Sequence, residues 1–291
     1  MKRRNLGYIF IAAGLVFIFM SGSGSDTSTQ SATTNTEPSI TLEDGMRARQ
    51  IVFESNEPEY PDEQKIIYTF DETRTPDPEL HPADQSLYEI VSDLAPSDQD
   101  LESIVEFEVY FDEEDGTLAS VAALDNDNGE WVYSINYISV TEFTELIPTI
   151  VHEYGHIISL TDSQTTTESE QEGITESCRT LILEEGCLAF NSYLNRFNRT
   201  FWNAQLDPGE DRTEDEAAEY FQQNSDSYVT EYATTNVAED FSESFMVYVT
   251  GDLPDPSSEL EKDKKVLFFD EYKELKDYRQ NARDKILSWA K

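Results

Sequence analysis

The sequence is poor in positive charge. Its 291 residues include 20 lysines and arginines against 60 aspartates and glutamates, so the formal net charge is −40. A surface of this sign repels the phosphates of nucleic acids and the headgroups of anionic lipids, and we expect no nucleic acid as a partner. Because the acidic residues are scattered along the chain, we interpret their excess as a means of staying soluble.

Cysteine is also nearly absent. Only Cys178 and Cys187 occur. No cysteine stands directly behind the N-terminal apolar run at 6–20, which argues against a lipid-anchored lipoprotein. In an oxidising compartment such a pair is expected to form a disulfide. On one straight helix, however, the two residues would lie about 13 Å apart, too far for a bridge. A disulfide therefore predicts a break in the helix, for which Gly186 is the natural place.

The N-terminus carries an export pattern. The sequence begins Met-Lys-Arg-Arg, continues with the apolar run at 6–20 and is followed by small residues. This order predicts a signal peptide at 1–23. The alternative is an uncleaved anchor that tethers the protein to a membrane, because the run is near the lower length limit for spanning a bilayer. Either way, the rest of the chain is expected outside the cell or at its surface.

The remaining chain is predicted to form one tether and one folded domain. Residues 24–60 are rich in Ser, Thr and acidic residues, which predicts a disordered tether. Residues 61–291 are predicted to form the domain, with a sheet lobe at about 61–162 and a helical lobe at about 163–291. Alternating strands at 104–111, 118–124 and 131–138 lead into an apolar helix at 143–160. We therefore expect an α+β fold with a small antiparallel sheet on that helix and 131–138 as its edge strand. The segment at 174–202 is predicted to be helical, with a break near Gly186.

Histidine is scarce as well, and its placement is informative. Of three histidines, His152 and His156 belong to the pattern H-E-x-x-H within the apolar helix. One helical turn apart, two imidazoles can bind one metal ion, and Glu153 between them can act as general base for an attacking water. The alternative is a buried helix with two core histidines, which would leave Glu153 desolvated without a partner.

A catalytic zinc needs a third protein ligand, and two segments could supply it. Asp162 has part of the spacing of a longer histidine motif, although Ser159 replaces the glycine of its turn. In the second segment, Asn236 caps a predicted helix that places Glu239 and Glu243 one turn apart. We favour Glu239 as the ligand and Glu243 as the residue that orients a ligand imidazole. The alternative is a capping box, in which Glu239 only binds its own helix end.

The H-E-x-x-H helix and the later E-D-F-x-E helix together resemble the gluzincin metallopeptidases. The likeness is closest to active sites of the anthrax lethal factor and Pro-Pro endopeptidase type, where a tyrosine lies seven residues before the glutamate ligand, as Tyr232 does here. The chain is also similar to exported bacterial proteins, as yet uncharacterised, that combine both segments with a cysteine pair. The resemblance implies a zincin-like fold, a Zn²⁺ ion bound by His152, His156 and Glu239, and Glu153 as the base. It also implies that Tyr232 donates its proton to the developing oxyanion, and Tyr228 is a competing choice for this role.

Motifs and resemblance together predict an exported zinc metalloendopeptidase that hydrolyses peptide or protein substrates. Two alternatives use the same residues. One is a zinc-binding cell-surface protein without catalytic activity, and the other is a zinc amide hydrolase that acts on a non-protein substrate.

Overall fold

The sheet and helices are described from a computed structural model that covers residues 40–55, 65–71, 73–124, 127–166, 178–183, 185–204 and 211–291. The predicted signal or anchor at 1–23 lies outside these residues. Among those described, no helix has the length and apolarity that crossing a bilayer would require.

Residues 42–55, which the sequence places in a disordered tether, instead form helix α1 (Leu42–Ser55). Two apolar side chains, Met46 and Phe53, are buried, and the Phe53 ring lies 5.9 Å from that of Tyr137 and 5.3 Å from that of Phe143. This burial stabilises the helix despite its polar composition. The folded part of the chain therefore begins earlier than predicted.

Five strands form the main sheet, in the order β2-β1-β3-β5-β4. They are β1 (Lys65–Phe70), β2 (Pro76–Asp77), β3 (Ile104–Tyr110), β4 (Ala119–Leu124) and β5 (Asp127–Asn136). The strand pairs are antiparallel except β3 and β5, which are parallel, with Phe107 opposite Tyr133. The sheet is thus mixed, and the prediction of an antiparallel sheet is wrong on this point.

The edge strand also differs from the prediction. β5 inserts between β3 and β4, so the segment predicted as the edge is an inner strand and β4 is the last strand on this side. The order of the strands along the chain does not determine which strand each one pairs with. Trp131, Tyr133 and Ile135 are completely buried, as expected of an inner strand.

Helices pack against the sheet and form most of the C-terminal half. They are α2 (Pro82–Asp93), α3 (Asp98–Ser103), α4 (Phe143–Leu160), α5 (Tyr193–Phe201), α6 (Glu214–Asn224), α7 (Val237–Thr250), α8 (Glu261–Phe268) and α9 (Lys273–Ser288). Short 3₁₀ turns occur at Tyr137–Ser139, Tyr232–Thr234 and Phe269–Glu271. Helix α4 packs against β4 and α7, whereas α9 packs against α1 and α7. The arrangement is α+β, with α4 at its centre.

A disulfide joins Cys178 to Cys187, as predicted, with their Cα atoms 6.0 Å apart. Within 174–192, the described residues 178–183 and 185–192 are not helical, contrary to the prediction. They contain a hairpin of β6 (Ile182–Leu183) and β7 (Gly186–Cys187). Gly186 has a φ of 124°, which favours glycine, and it begins strand β7. Because the described residues around it are not helical, it is not the helix break that was predicted. The backbone N–H of Thr166 donates to the carbonyl of Cys187, which ties the hairpin to the segment after α4.

Candidate metal centre

Helix α4 carries the H-E-x-x-H residues into the core. His152, Glu153 and His156 are completely buried. The two imidazoles lie on one face of the helix, with their Nε2 atoms 3.0 Å apart. Only one hydrogen could lie between these nitrogens, so at least one of them presents a lone pair to the other.

Helix α7 supplies the third donor. Asn236 is the N-cap residue, and its side chain accepts hydrogen bonds from the backbone N–H groups of Ala238 and Glu239, both at 2.9 Å. Glu239 is buried, and its Oε2 lies 3.1 Å from His152 Nε2 and 3.4 Å from His156 Nε2. The Glu239 carboxylate therefore faces the imidazoles. The capping-box alternative would require it to face the end of its own helix, and is wrong.

The three donor atoms form a nearly regular triangle with sides of 3.0, 3.1 and 3.4 Å. In a tetrahedral zinc site with bonds of about 2.0–2.1 Å, neighbouring donors are about 3.3–3.4 Å apart. Among the residues that the structure describes, His152, His156 and Glu239 form a buried group that could hold a metal ion. Asp162, the alternative ligand, is exposed in the turn after α4.

A glycine allows the two helices to approach closely. A Cβ added to Gly155 would lie 2.9 Å from both Cα and Oγ of Ser242 on α7. Real Cβ contacts are not that short, so any larger residue would force the helices apart. Along the chain, Gly155 lies between His152 and His156, and Ser242 lies three residues after Glu239. This close approach therefore brings Glu239 within reach of the imidazoles.

Glu243 braces one of the histidines. Its Oε1 lies 2.6 Å from Nδ1 of His152, and its Oε2 accepts a hydrogen bond of 2.5 Å from the hydroxyl of Thr230. A proton on Nδ1 leaves the Nε2 lone pair of His152 directed at the donor triangle. By contrast, Nδ1 of His156 has no hydrogen-bond partner among the described residues.

Burial and charge act in opposite directions on these groups. Burial alone would lower the pKa of His152, but Glu239 and Glu243, through hydrogen bonds and charge, raise it well above its usual value. Burial alone would raise the pKa of Glu239, but the two imidazoles lower it to about 2. The pKa of His156 is lowered by burial. Glu239 is thus held ionised, in the form that binds cations.

Glu153 lies in a more apolar environment. Neither of its carboxylate oxygens has a hydrogen-bond partner of good geometry among the described residues. Burial raises its pKa well above the usual range, while the charge of His152 and the backbone N–H of Val121 on β4 act to lower it. A buried Glu153 without such a partner is what the core-histidine alternative implies. Its raised pKa also makes it a stronger proton acceptor when ionised, which the predicted base requires.

Tyr232 and Tyr228 occupy different surroundings. Tyr232 is partly buried, and its ring centre lies 5.9 Å from that of His152. Burial, the charges of the nearby glutamates and a hydrogen bond to Glu239 raise its pKa, so the phenol keeps its proton. The ring of Tyr228 instead lies over Nζ of Lys265, 3.7 Å from it. Of the two tyrosines, Tyr232 is the one beside the donor triangle.

Sequence reasoning did not assign a role to Thr230, Gly155 or Ser242. A Gly between the histidines was visible in the motif, but its packing partner is 87 residues away along the chain. Thr230 lies two residues before Tyr232, and nothing in its neighbourhood marks it as a partner of Glu243.

Comparison of the chain with protein-family models, with curated proteins and with solved structures finds no match. The functional conclusion therefore depends on the site itself.

Proposed function

We propose that this protein is a zinc-dependent endopeptidase that hydrolyses peptide bonds with a water activated by Glu153. The observation that carries this proposal is the donor triangle of His152, His156 and Glu239. The buried carboxylate of Glu153 lies on the same helix as the two histidines. Two imidazoles and one carboxylate are a donor set of catalytic zinc sites, which keep a further position open. The resemblance of the two sequence segments to gluzincin sites agrees with zinc as the metal.

Each residue has a separate task in this mechanism. A zinc ion bound there would polarise the scissile carbonyl and acidify a water ligand. Glu153 would take the proton of the attacking water and later deliver it to the leaving amine. Tyr232, which keeps its proton, would donate a hydrogen bond to the developing oxyanion. Glu243 would hold His152 in the tautomer that binds through Nε2.

The sheet offers a place for an extended substrate. β4 is the last strand on its side of the sheet and packs against α4. The backbone of Val121 on β4 lies near enough to Glu153 to affect its pKa. A peptide added to this edge as a further strand would run past the base and the metal.

One observation favours a second candidate, a zinc-binding surface protein without catalytic activity. His152, Glu153 and His156 are 0% exposed and Glu239 is 1% exposed. A substrate must reach these groups, whereas a structural metal site has no such requirement. The third candidate, a zinc amide hydrolase for non-protein substrates, would show metal and activity but would cleave no peptide.

The test combines metal analysis with a peptide-library cleavage profile of the wild-type chain and Glu153→Gln. We expect about one zinc ion per chain in both, with cleavage by the wild type alone. Glu145→Gln is the matched control, because it removes the same charge from the first turn of α4. Undiminished cleavage by Glu153→Gln would contradict the base assignment. Bound zinc without cleavage of any peptide would favour the second or third candidate.

A further inference from the structure

The hydroxyl of Thr230 uses both its donor and its acceptor capacity. It donates to Oε2 of Glu243 at 2.5 Å and accepts from the backbone N–H of Ala233 at 3.1 Å. Ala233 is the middle residue of the 3₁₀ turn Tyr232–Thr234 and is completely buried. One side chain therefore contacts both α7 and the turn that carries Tyr232.

The contact with Glu243 extends to the metal donors. Glu243 is 0% exposed, and among the described residues no lysine or arginine pairs with it. Its two oxygens contact Thr230 on one side and Nδ1 of His152 on the other, at 2.5 and 2.6 Å. Since a carboxylate can rotate about its last bond, the orientation of Glu243 depends on both of these partners.

We propose that Thr230 is a positioning residue that couples the metal centre to the Tyr232 turn. Through Glu243 it directs the lone pair of His152 at the metal, and through Ala233 it holds the turn that places Tyr232 beside His152. This inference rests on the metal-binding part of the proposed function and does not require peptide cleavage. Groups that orient a ligand imidazole in this way typically change metal affinity by about 10–100-fold when they are removed.

The chain offers a matched control in Thr234, which belongs to the same turn. Thr234 is buried, and its hydroxyl bonds to the backbone carbonyls of Ala217 and Glu231, at 3.1 and 2.7 Å. Loss of this hydroxyl removes hydrogen bonds that hold the turn but leaves the hydrogen bond between Thr230 and Glu243 in place. A merely structural effect would therefore be similar in Thr234→Val and Thr230→Val.

The first measurement is zinc affinity by competition with a chromophoric chelator, in full-length protein. We expect Thr230→Val to bind zinc about 10–100-fold more weakly, and Thr230→Ser and Thr234→Val to stay within about 3-fold of the wild type. In a Glu243→Ala background, Thr230→Val should cause no additional loss, because both residues act on His152 through the same contact. Should Thr230→Val not fold, as judged by circular dichroism, Thr230→Ala replaces it.

The second measurement is amide hydrogen exchange of the 231–236 segment without metal. The Ala233 amide should exchange faster in Thr230→Val than in the wild type, and Thr230→Ser should restore its protection.

The outcomes separate the two proposals. A wild-type chain that binds no zinc would overturn the proposed function. If the wild type binds zinc, full affinity in Thr230→Val, or an equal loss in Thr234→Val, would overturn the inference on Thr230 alone. An additive loss in the Glu243→Ala background would do the same, and unchanged exchange at Ala233 would contradict the coupling to the turn.

Discussion

Two neighbouring carboxylates on α7, Glu239 and Asp240, are both buried, but they meet different partners. Asp240 faces Lys265, whose Nζ lies 2.6 Å from its Oδ2, and it accepts a hydrogen bond of 2.8 Å from Nε1 of Trp202. Glu239 faces His152 and His156. The same helix thus directs Asp240 to a lysine of the chain and Glu239 to the two imidazoles.

The difference lies in the source of the positive charge. A buried charge is costly unless it is paired. Lys265 is 0% exposed and supplies the countercharge of Asp240, although burial still raises the pKa of that carboxyl to about 6. Around the donor triangle there are three buried glutamates, and among the described residues neither lysine nor arginine pairs with Glu153, Glu239 or Glu243. A cation from solution would fit the cluster of three glutamates, whereas Lys265 of the chain provides the positive charge beside Asp240.

The largest effect is expected from removing the third donor. Glu239→Ala leaves two imidazoles, so bound zinc should fall from about one ion per chain to background, and turnover should disappear with it. Metal analysis after dialysis measures the loss. Asp162→Ala is the control and should retain the metal. Normal zinc content in Glu239→Ala would mean that another residue completes the site.

Removing the cation of the other pair should affect stability instead. Lys265→Met leaves Asp240 buried without a countercharge and should lower the free energy of unfolding by about 3–5 kcal/mol, as for other broken buried pairs. Urea unfolding measures this change, while zinc content should stay near the wild-type value. The double variant Lys265→Met, Asp240→Asn keeps an acceptor for Trp202 and should recover most of the loss. Destabilisation of less than about 1 kcal/mol would place the pair among those of little net effect.

Tyr232→Phe tests the partly exposed side of the metal centre. Loss of one oxyanion donor typically lowers kcat by about 10²–10³-fold, and we expect a decrease of about 10²-fold at unchanged zinc content. Tyr228→Phe serves as control because its ring packs on Lys265, and it should keep the wild-type rate. An unchanged kcat in Tyr232→Phe would remove this residue from the mechanism.

The smallest effect is expected at the helix crossing. Gly155→Ala introduces a methyl group against Ser242 and should separate α4 from α7, which weakens zinc binding by roughly 10-fold through displaced donors. The better helix propensity of alanine offsets part of the overpacking, so the change in stability should be only about 1 kcal/mol. Adding Ser242→Gly removes two of the three nearest atoms and should restore part of the affinity. Zinc affinity equal to that of the wild type would show that the crossing tolerates a methyl group.

Local patterns predicted local structure well. The apolar spacing predicted a helix at 143–160, and the structure has α4 at Phe143–Leu160. The cap at Asn236 was predicted from residue type and is formed by its side chain. In each case, the deciding contacts lie within a few residues along the chain.

Predictions that needed distant partners succeeded less often. The periodicity of β5 indicated a strand but not its place between β3 and β4, because pairing depends on residues elsewhere in the chain. The apolar residues around Gly186 are compatible with a helix as well as with strands. In the structure, the segment next to the disulfide forms a hairpin of β6 and β7. α1 was missed because its few apolar residues become buried only against Tyr137, Phe143 and α9.

The sequence by itself determined the chemistry of the candidate site, because two histidines and a glutamate at helical spacing lie on one element whose geometry is set locally. Only the tertiary structure decided that Glu239 on a second helix approaches them, that Glu243 and Thr230 brace His152, and that Asp240 turns to Lys265 instead. These outcomes depend on how closely α4 and α7 pack at Gly155. That distance results from the whole core and is not encoded in either segment alone.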